Sequence, residues 1–327
     1  MKSLDLDEAR VCLSSGDRAR VLLNGIEMDA FISGALEYAA ESAADLPATG
    51  DYVLVRRVDT TTVLIEQVLP RRTKISRRAA GTRHDEQMLA ANVDLAMIVC
   101  GLDGDFNPRR LERYLALAQE GGVEPVIVLN KADACAGHEE RVAETRQASG
   151  GAAVLVASAL TGDGCAAVCA LLAPGITAVL LGSSGAGKST LLNRIVGSEI
   201  HSTGDVRADD SRGRHTTTHR ELIPLPGGAA LIDSPGLREV QLWATAESVS
   251  VVFDDIAALS SQCRFADCGH RNEPGCAVRG NVAPDRLDSF HKLMREAARL
   301  ADTRSEKVRW RAMHKAARQF YKLRGRK

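Results

Sequence analysis

The feature that most constrains the fold is a glycine-rich segment that follows directly on an apolar run. Residues 178–181 are typical of a buried strand, and residues 182–190 (GSSGAGKST) match the phosphate-loop pattern G-x-x-x-x-G-K-[ST] at every fixed position. Residues 190–196 are then expected to form a helix. Because a helix N-terminus and a glycine turn direct backbone N–H groups at a phosphate, the sequence predicts a nucleotide-binding α/β domain.

The chemistry of this loop assigns a role to each part of it. Lys188 can reach the β- and γ-phosphates and is a candidate catalytic residue, and Ser189 offers a hydroxyl to Mg²⁺. We expect the whole loop to contact the nucleotide through Gly182, Ser183, Ser184, Gly185, Ala186, Gly187, Lys188, Ser189 and Thr190.

A second motif, N-K-x-D, indicates which base is bound. It consists of Asn130, Lys131, Ala132 and Asp133, and it follows the apolar run 125–129, at the strand end where open α/β sheets bind ligands. A carboxylate can accept two hydrogen bonds from the ring N–H and amino group of guanine, and adenine lacks that donor pair. Asp133 therefore predicts guanine, and the stem of Lys131 can cover the face of the base.

Ser158 and Ala159 form a weaker signal for the same site. They follow the apolar run 154–156, and a backbone N–H at this position can lie near the guanine oxygen.

A third motif, D-x-x-G at residues 233–236, follows the strand-like run 231–232. Asp233 is expected to hold Mg²⁺ through water, and the N–H of Gly236 to sense the γ-phosphate. Between the phosphate loop and this motif lies the segment 213–219 (GRHTTTH). A threonine there, for which we take Thr217, can bind Mg²⁺ only when the γ-phosphate is present, which predicts an order–disorder switch.

Three cysteines and one histidine near the C-terminus predict a metal site. Cys263, Cys268, His270 and Cys276 supply three thiolates and one imidazole, which is a closed four-ligand set. Because a closed set leaves no position for substrate, we expect a structural Zn²⁺. The other five cysteines lie among apolar residues, and we interpret them as core or boundary residues.

The first 69 residues predict a small β-barrel. Five short β-branched or alternating runs are separated by turn dipeptides, a pattern that suits an OB-fold or an SH3-like barrel. A basic segment follows, with Arg71, Arg72, Lys74, Arg77 and Arg78. It is either a solvated linker or a strip that contacts phosphates.

Composition excludes several classes of protein. The chain has 327 residues, of which 45% are hydrophobic and 26% charged, and its formal net charge is zero. There is neither a secretory leader nor a run of about 20 apolar residues, so we expect a cytoplasmic protein without a membrane segment. The tail 303–327 carries ten Lys or Arg residues and predicts either an amphipathic helix that packs on the nucleotide domain or an RNA-binding arm.

The order of the motifs carries a family resemblance. In the usual GTPase the phosphate loop comes first, whereas here N-K-x-D precedes it and D-x-x-G closes the domain. With the N-terminal barrel and the Cys/His cluster, the chain resembles the ribosome small-subunit-dependent GTPase A family (RsgA), over nearly its whole length.

The resemblance implies a multidomain α/β protein. Its parts would be an OB-fold β-barrel at 1–72, a central circularly permuted P-loop GTPase domain at 73–245, and a C-terminal helical zinc-binding domain at 246–327. It implies a monomer that binds the small ribosomal subunit and its rRNA, assists late maturation, and hydrolyses GTP, with Mg²⁺, to GDP and phosphate for its own release. An RNA-binding checkpoint module that reports GTP levels, with incidental hydrolysis, is the alternative.

One departure from many GTPases concerns the attacking water. Leu237 follows Gly236 where many GTPases carry a glutamine, and an apolar side chain cannot orient water. We therefore take His215 as the candidate catalytic residue, acting directly or by positioning water. The alternative is that His215 packs or contacts RNA.

Overall fold

The computed structural model describes residues 6–15, 18–79, 85–197, 220–234 and 241–324, with side chains described up to residue 305. Within these ranges the chain forms a small barrel, a mostly parallel sheet with helices on both faces, and a C-terminal group of helices. None of the helices in the described ranges combines the length and the apolar character needed to cross a bilayer.

The N-terminal barrel confirms the predicted strands, which are β1 (Asp7–Ser15), β2 (Arg18–Leu23), β3 (Ile26–Ile32), β4 (Tyr52–Arg57) and β5 (Thr62–Val68). They pair in the order β1-β2-β3-β5-β4, and β4 pairs again with β1, which closes the barrel. Alternate side chains such as Val21, Val53 and Ile65 fill its interior and are fully buried. Of the two barrels that the sequence allowed, this strand order is that of an OB-fold and not of an SH3-like barrel.

A helix that the sequence did not predict connects β3 to β4. It is α1 (Gly34–Ala39), and the Ser33 hydroxyl caps it by accepting a hydrogen bond from the N–H of Leu36. Ser33 and Gly34 form one of the turn dipeptides that separate the predicted strands, and in the structure they begin a helix instead.

The basic segment after the barrel is neither a linker nor a free cationic strip over its length. It enters the strand β6 (Lys74–Arg78), which forms a hairpin with β7 (Glu86–Ala91). Arg71 pairs with the fully buried carboxylate of Asp51 at 2.7 Å and donates to backbone carbonyls. Lys74 pairs with Glu86 at 2.6 Å. Arg71 therefore stabilises the junction between the barrel and the next domain, and Lys74 stabilises the hairpin.

The central domain is built on six strands, which are β8 (Leu95–Gly101), β9 (Glu124–Asn130), β10 (Ala153–Val156), β11 (Thr177–Leu181), β12 (Glu221–Pro224) and β13 (Ala230–Asp233). Their spatial order is β10-β9-β8-β11-β13-β12, and only β12 runs antiparallel. The carboxyl ends of β8, β9, β11 and β13 therefore meet at one edge of the sheet.

Helices cover both faces of this sheet, and they are α2 (Pro108–Glu120), α3 (Glu139–Ala148), α4 (Cys165–Ala170) and α5 (Lys188–Val196). Alternate residues of β8 enter different cores: Ile98 packs on the face with α2 and α3, and Met97 on the face with α4 and α5. Because the strand is buried on both faces, it appears in the sequence as a continuous apolar run.

The C-terminal helices are α6 (Ala246–Val252), α7 (Asp254–Ser260) and α8 (Pro284–Arg324). Leu293 and Ala297 of α8 join the core on the α2 face of the sheet. Arg286 of α8 pairs at 2.8 Å with the fully buried Glu112 of α2. Burial raises the pKa of Glu112, against the lowering effect of Arg109 and Arg286. Packing and ion pairs thus join α8 to the central domain.

The barrel is joined to the edge of the central sheet. Leu13 of β1 pairs with Glu221 of β12, so the two sheets form one sheet of eleven strands. Arg10 of β1 donates to the Thr177 hydroxyl at 2.6 Å, at the start of the strand that leads into the phosphate loop.

Candidate nucleotide site and metal centre

The phosphate loop lies where the sequence predicts it, between β11 and α5. Two of its glycines are required by close backbone approach. At Gly182 (φ +148°) a Cβ atom would lie 2.3 Å from the carbonyl oxygen of Val99, and at Gly187 (φ +89°) it would lie 2.2 Å from the amide nitrogen of Asn130. Any side chain would therefore displace the strand or the neighbouring motif.

Lys188 is the buried cation of this loop. It is 7% exposed, and its Nζ donates to the carbonyl oxygens of Gly182 at 3.0 Å and Ser183 at 2.8 Å. Burial lowers the pKa of Lys188 to about 8, although the carboxylate of Asp233 acts in the opposite direction. A buried ammonium is costly without an anion, so the loop favours a bound phosphate at this position.

Asn130 joins three segments that are far apart in the sequence. Its side chain is buried; the amide nitrogen donates to the Ala186 carbonyl at 3.0 Å, and the amide oxygen accepts from the N–H of Ala159 at 2.9 Å. The predicted base-binding segments are therefore held against the phosphate loop by both ends of one amide.

Two of the other residues of the N-K-x-D motif, Ala132 and Asp133, line a cavity. Lys131 has a left-handed backbone (φ +64°), and its Nζ pairs with Asp103 at 2.6 Å. Asp133 is exposed and accepts a hydrogen bond from the Ser158 hydroxyl. Asp133, Ala132 and Ser158 line a cavity of about 310 Å³. An open cavity beside a carboxylate can take a polar planar group such as a nucleobase.

The side of the site predicted to bind Mg²⁺ is described in part. Asp233 ends β13, is 3% exposed and lies opposite Leu180 in register, beside the strand that leads into the loop. Ser189 lies in the first turn of α5, which follows β11, the strand beside β13. A carboxylate and a hydroxyl, the oxygen ligands that Mg²⁺ prefers, therefore come from neighbouring elements. His215, Thr217 and Gly236, with the whole segment 213–219, lie outside the described residues.

The predicted metal ligands come together in space. The ligand atoms of Cys263, Cys268, His270 and Cys276 all lie within 4.8 Å of one another, in the irregular segment between α7 and α8. The Nδ1 atom of His270 lies 3.7 Å from the sulfur of Cys263 and 3.6 Å from that of Cys276. The four side chains therefore form a cluster that can hold a metal ion.

Neighbouring groups orient this cluster. The Nε2 atom of His270 lies 2.9 Å from the Ser260 hydroxyl, which directs Nδ1 at the thiols. Burial lowers the pKa of His270 and so favours the neutral imidazole, the form that binds metals. The N–H of Ala277 points at the Cys263 sulfur, at 3.3 Å.

Comparison with known families decides the family of this chain. A model of the RsgA GTPase family matches residues 68–243, which is more than half of the chain. This chain belongs to the RsgA GTPase family. A relative from Opitutus terrae, named small ribosomal subunit biogenesis GTPase RsgA, is 46% identical over 97% of this chain and 92% of its own length. A relative of the same name from Xylella fastidiosa (strain 9a5c) is 52% identical over 77% of this chain and 74% of its own.

Solved structures agree with this family fold. The crystal structure of YjeQ from Thermotoga maritima has a TM-score of 0.65 and covers 90% of this chain and 99% of its own, at 23% identity. The structure of YloQ, described as a circularly permuted GTPase, has a TM-score of 0.61 at 21% identity, and covers 91% of this chain and 97% of its own. The predicted fold class, with its permuted domain, is thereby confirmed for this RsgA family member.

In this RsgA family member, three residues near the site were not predicted from the sequence. Asp103 and Asp105 lie on the loop after β8, and they contact Lys131 and Ser183 respectively. Arg194 of α5 donates to the carbonyl oxygens of Ala159 and Leu160, at 3.2 and 2.6 Å. The two carboxylates follow a buried apolar strand, as Asn130 does, so the same rule applied to β8 would have indicated them.

Proposed function

We propose that this protein is a GTPase that binds the small ribosomal subunit, assists its late maturation and hydrolyses GTP to GDP and phosphate, which drives its own release. The observation that carries the nucleotide part is the bridge formed by Asn130 between the phosphate loop and the Ala159 segment. It holds a base-binding motif and a phosphate-binding motif at one end of one sheet. The assignment of the small ribosomal subunit as the partner is supported by the name that the relatives share, small ribosomal subunit biogenesis GTPase RsgA.

For the base, we assign Asp133 to the ring N–H and amino group of guanine. The cavity beside this carboxylate supports the assignment. Lys131, held from one side by Asp103, covers the base, and Ala132 and Ser158 complete the wall. The N–H of Ala159 already bonds to Asn130, so that segment is held in place for the guanine oxygen.

For the phosphates, we assign the loop 182–190, with Lys188 at the β- and γ-phosphates. During hydrolysis negative charge builds up on the oxygens of the leaving GDP, and the buried ammonium of Lys188 stabilises that charge. Mg²⁺ supplies further charge neutralisation when bound; Ser189, Asp233 and Thr217 would hold it. We keep His215 as the residue that orients the attacking water and Gly236 as the contact to the γ-phosphate.

For the metal cluster, we propose one structural Zn²⁺. Tetrahedral Zn²⁺ with Zn–S of about 2.3 Å and Zn–N of about 2.0–2.1 Å puts the sulfur and nitrogen ligands about 3.5–3.6 Å apart. The two distances from His270 Nδ1, 3.7 and 3.6 Å, fit this value. Three thiolates and one imidazole form a donor set that this ion prefers.

The remaining assignments concern the assembly. We propose the domain boundaries 1–72, 73–245 and 246–327, contacts to rRNA through the barrel and the metal-binding segment, and a monomeric protein in the cytoplasm. A reducing compartment suits a site built on thiolates. These assignments rest on the sequence and on the family.

The deciding experiment measures steady-state GTP hydrolysis with and without purified small ribosomal subunits. We expect a large stimulation, together with tighter binding of the subunit in the presence of a non-hydrolysable GTP analogue than with GDP. Nucleotide-dependent binding without stimulation would instead support a checkpoint protein, and the large ribosomal subunit serves as control. Equal affinity for ATP and GTP would contradict the guanine assignment.

A further inference from the structure

The loop between β8 and α2 places two carboxylates against the nucleotide site. Asp103 pairs with Lys131 of the base-binding motif, and Asp105 accepts from the Ser183 hydroxyl of the phosphate loop at 2.6 Å. Since they are two residues apart on one short loop, a single segment contacts both halves of the site. Neither carboxylate belongs to a nucleotide-binding motif of the sequence.

The contacts of Asp105 fix its position. The same oxygen, Oδ2, accepts from Ser183 and pairs with the guanidinium of Arg110 at 2.8 Å. Arg110 also donates to the backbone carbonyl of Asp105. The arginine lies in the first turn of α2, which the capping side chain of Asn107 and Pro108 begin. The carboxylate is thus held by a rigid element, and its charge is neutralised locally.

Ser183 transmits this position to the catalytic lysine. It is 6% exposed, its hydroxyl donates to Asp105, and its carbonyl oxygen accepts from Lys188 Nζ at 2.8 Å. A continuous chain of polar contacts therefore runs from Arg110 through Asp105 and Ser183 to Lys188. Removing Asp105 would leave a buried hydroxyl without its acceptor, next to the carbonyl that orients the ammonium.

We propose that Asp105 is a positioning residue for the phosphate loop, holding Ser183 so that Lys188 stays directed at the β- and γ-phosphates. This rests on the proposed function, since it takes the loop as a guanine-nucleotide site. A free carboxylate close to a triphosphate would repel it. The ion pair with Arg110 reduces this repulsion, because the pair as a whole carries no net charge.

Asp103 performs the parallel task on the base side. Burial raises its pKa, but the hydrogen bond from Lys131 and the N–H of Asp105 lower the pKa overall, so the ionised form is favoured. Asp103 thereby holds the lysine of the N-K-x-D motif, and Asp105 the second residue of the phosphate loop. Removal of the Asp103 carboxylate should therefore weaken contacts to the base, and removal of the Asp105 carboxylate should weaken contacts to the phosphates.

The test compares nucleotides that differ only in their phosphates. Dissociation constants for GDP and GMP are measured on the full chain for Asp105→Ala, Ser183→Ala and the double variant. We expect Asp105→Ala to lower the affinity for GDP by about tenfold, the scale of a hydrogen bond to a charged group. The affinity for GMP should change by no more than about twofold. Because both residues act through one contact, the double variant should be no weaker than the stronger single variant.

Two further variants separate positioning from general destabilisation. Asp105→Asn keeps an acceptor oxygen for Ser183 and should recover most of the GDP affinity. Asp285→Ala removes a carboxylate from Arg109, the neighbour of Arg110 on α2, and should leave both affinities unchanged. A loss of folded protein would lower the apparent affinities for GDP and GMP alike. The ratio of the two affinities therefore reports on the phosphate loop alone.

The outcomes are distinct. Wild-type affinity for GDP in folded Asp105→Ala, additive effects of the two alanine substitutions, or equal losses for GDP and GMP would overturn the proposal. If Asp105→Ala does not fold, Ser183→Ala alone must still lower the affinity for GDP relative to that for GMP. An unchanged ratio of the two affinities would overturn the proposal. Failure of the wild-type protein to bind GDP would count against the proposed function instead.

Discussion

The proposed nucleotide site and the cluster that can hold a metal ion are assembled in opposite ways in this protein. The metal ligands all lie within residues 263–276, in a segment without regular helix or strand, whereas the nucleotide site takes Asn130, Ser158, Lys188 and Asp233 from the ends of different elements. The nucleotide site is held by a buried sheet and its own hydrogen bonds, such as those of Asn130. The metal segment has local supports, such as the Glu273 carboxylate that accepts from the backbone N–H groups of Gly269 and Arg271, and we expect its stability to depend largely on a bound ion.

The largest expected effect breaks the metal centre alone. Cys268→Ser should abolish stoichiometric zinc and unfold residues 261–283, because a structural zinc contributes on the order of 10 kcal/mol to small segments of this kind. Zinc content and hydrogen exchange of this segment measure the effect. Nucleotide affinity should stay within about twofold.

The matched control for this substitution is Cys169→Ser, since Cys169 is an exposed cysteine outside the cluster. It should retain wild-type zinc. A Cys268→Ser protein that still binds one zinc per chain with native protection would show that the two sites do not differ in the way described.

The next effect concerns the base. Asp133→Asn replaces one acceptor oxygen by a donor, so affinity for GDP should fall by about 30-fold, the scale of a lost charged hydrogen bond. Xanthosine diphosphate, which carries a carbonyl where guanine carries its amino group, should gain affinity. Competition binding measures both, and Asp302→Asn, at an exposed position of α8, is the control. Unchanged preference for GDP would remove Asp133 from the site.

A smaller effect follows from the pKa of Lys188. Its folded pKa of about 8 lies below its ordinary value of 10.5, so between these values the unfolded chain binds more protons and stability rises with pH. The nucleotide-free protein should gain about 1 kcal/mol from this group between pH 7 and pH 9. Affinity for GDP should fall over the same range, because the neutral amine no longer attracts phosphate.

Chemical denaturation at several pH values measures this gain, and Lys188→Met isolates it from the titration of other groups. The gain should disappear in that variant. A pH dependence identical in both proteins would mean that Lys188 is not the responsible group.

The smallest effect tests the support behind the base site. Arg194→Ala removes two hydrogen bonds to the Ala159–Leu160 backbone, one of them solvent-exposed, so we expect GDP to dissociate only about threefold faster. Stopped-flow release of a fluorescent GDP analogue measures the rate, and Arg146→Ala on α3 is the control. An effect as large as that of Asp133→Asn would show that the base site is less preorganised than its contacts indicate.

Several features could be predicted because they depend on local sequence. The phosphate loop needs glycines at fixed spacing before a helix, and the metal centre needs four ligands within one short segment. The barrel strands follow from side-chain alternation, since the period of two places every second residue inside. The hairpin β6–β7 was missed, because charged residues such as Arg71 and Lys74 suggest solvent while their carboxylate partners lie elsewhere in the chain. The helix α1 was missed because Ser and Gly at its start are equally typical of a turn.

The sequence by itself determined the motifs, their permuted order, the metal ligands and the family. Only the tertiary structure decided how these parts meet: that Asn130 joins the base and phosphate segments, that Asp105 reaches Ser183, and that α8 shares a core with the central sheet. The physical reason is that a motif specifies a local backbone shape. Contacts such as Asp105 to Ser183 depend on which strands lie side by side, and that order is set by the packing of the whole sheet.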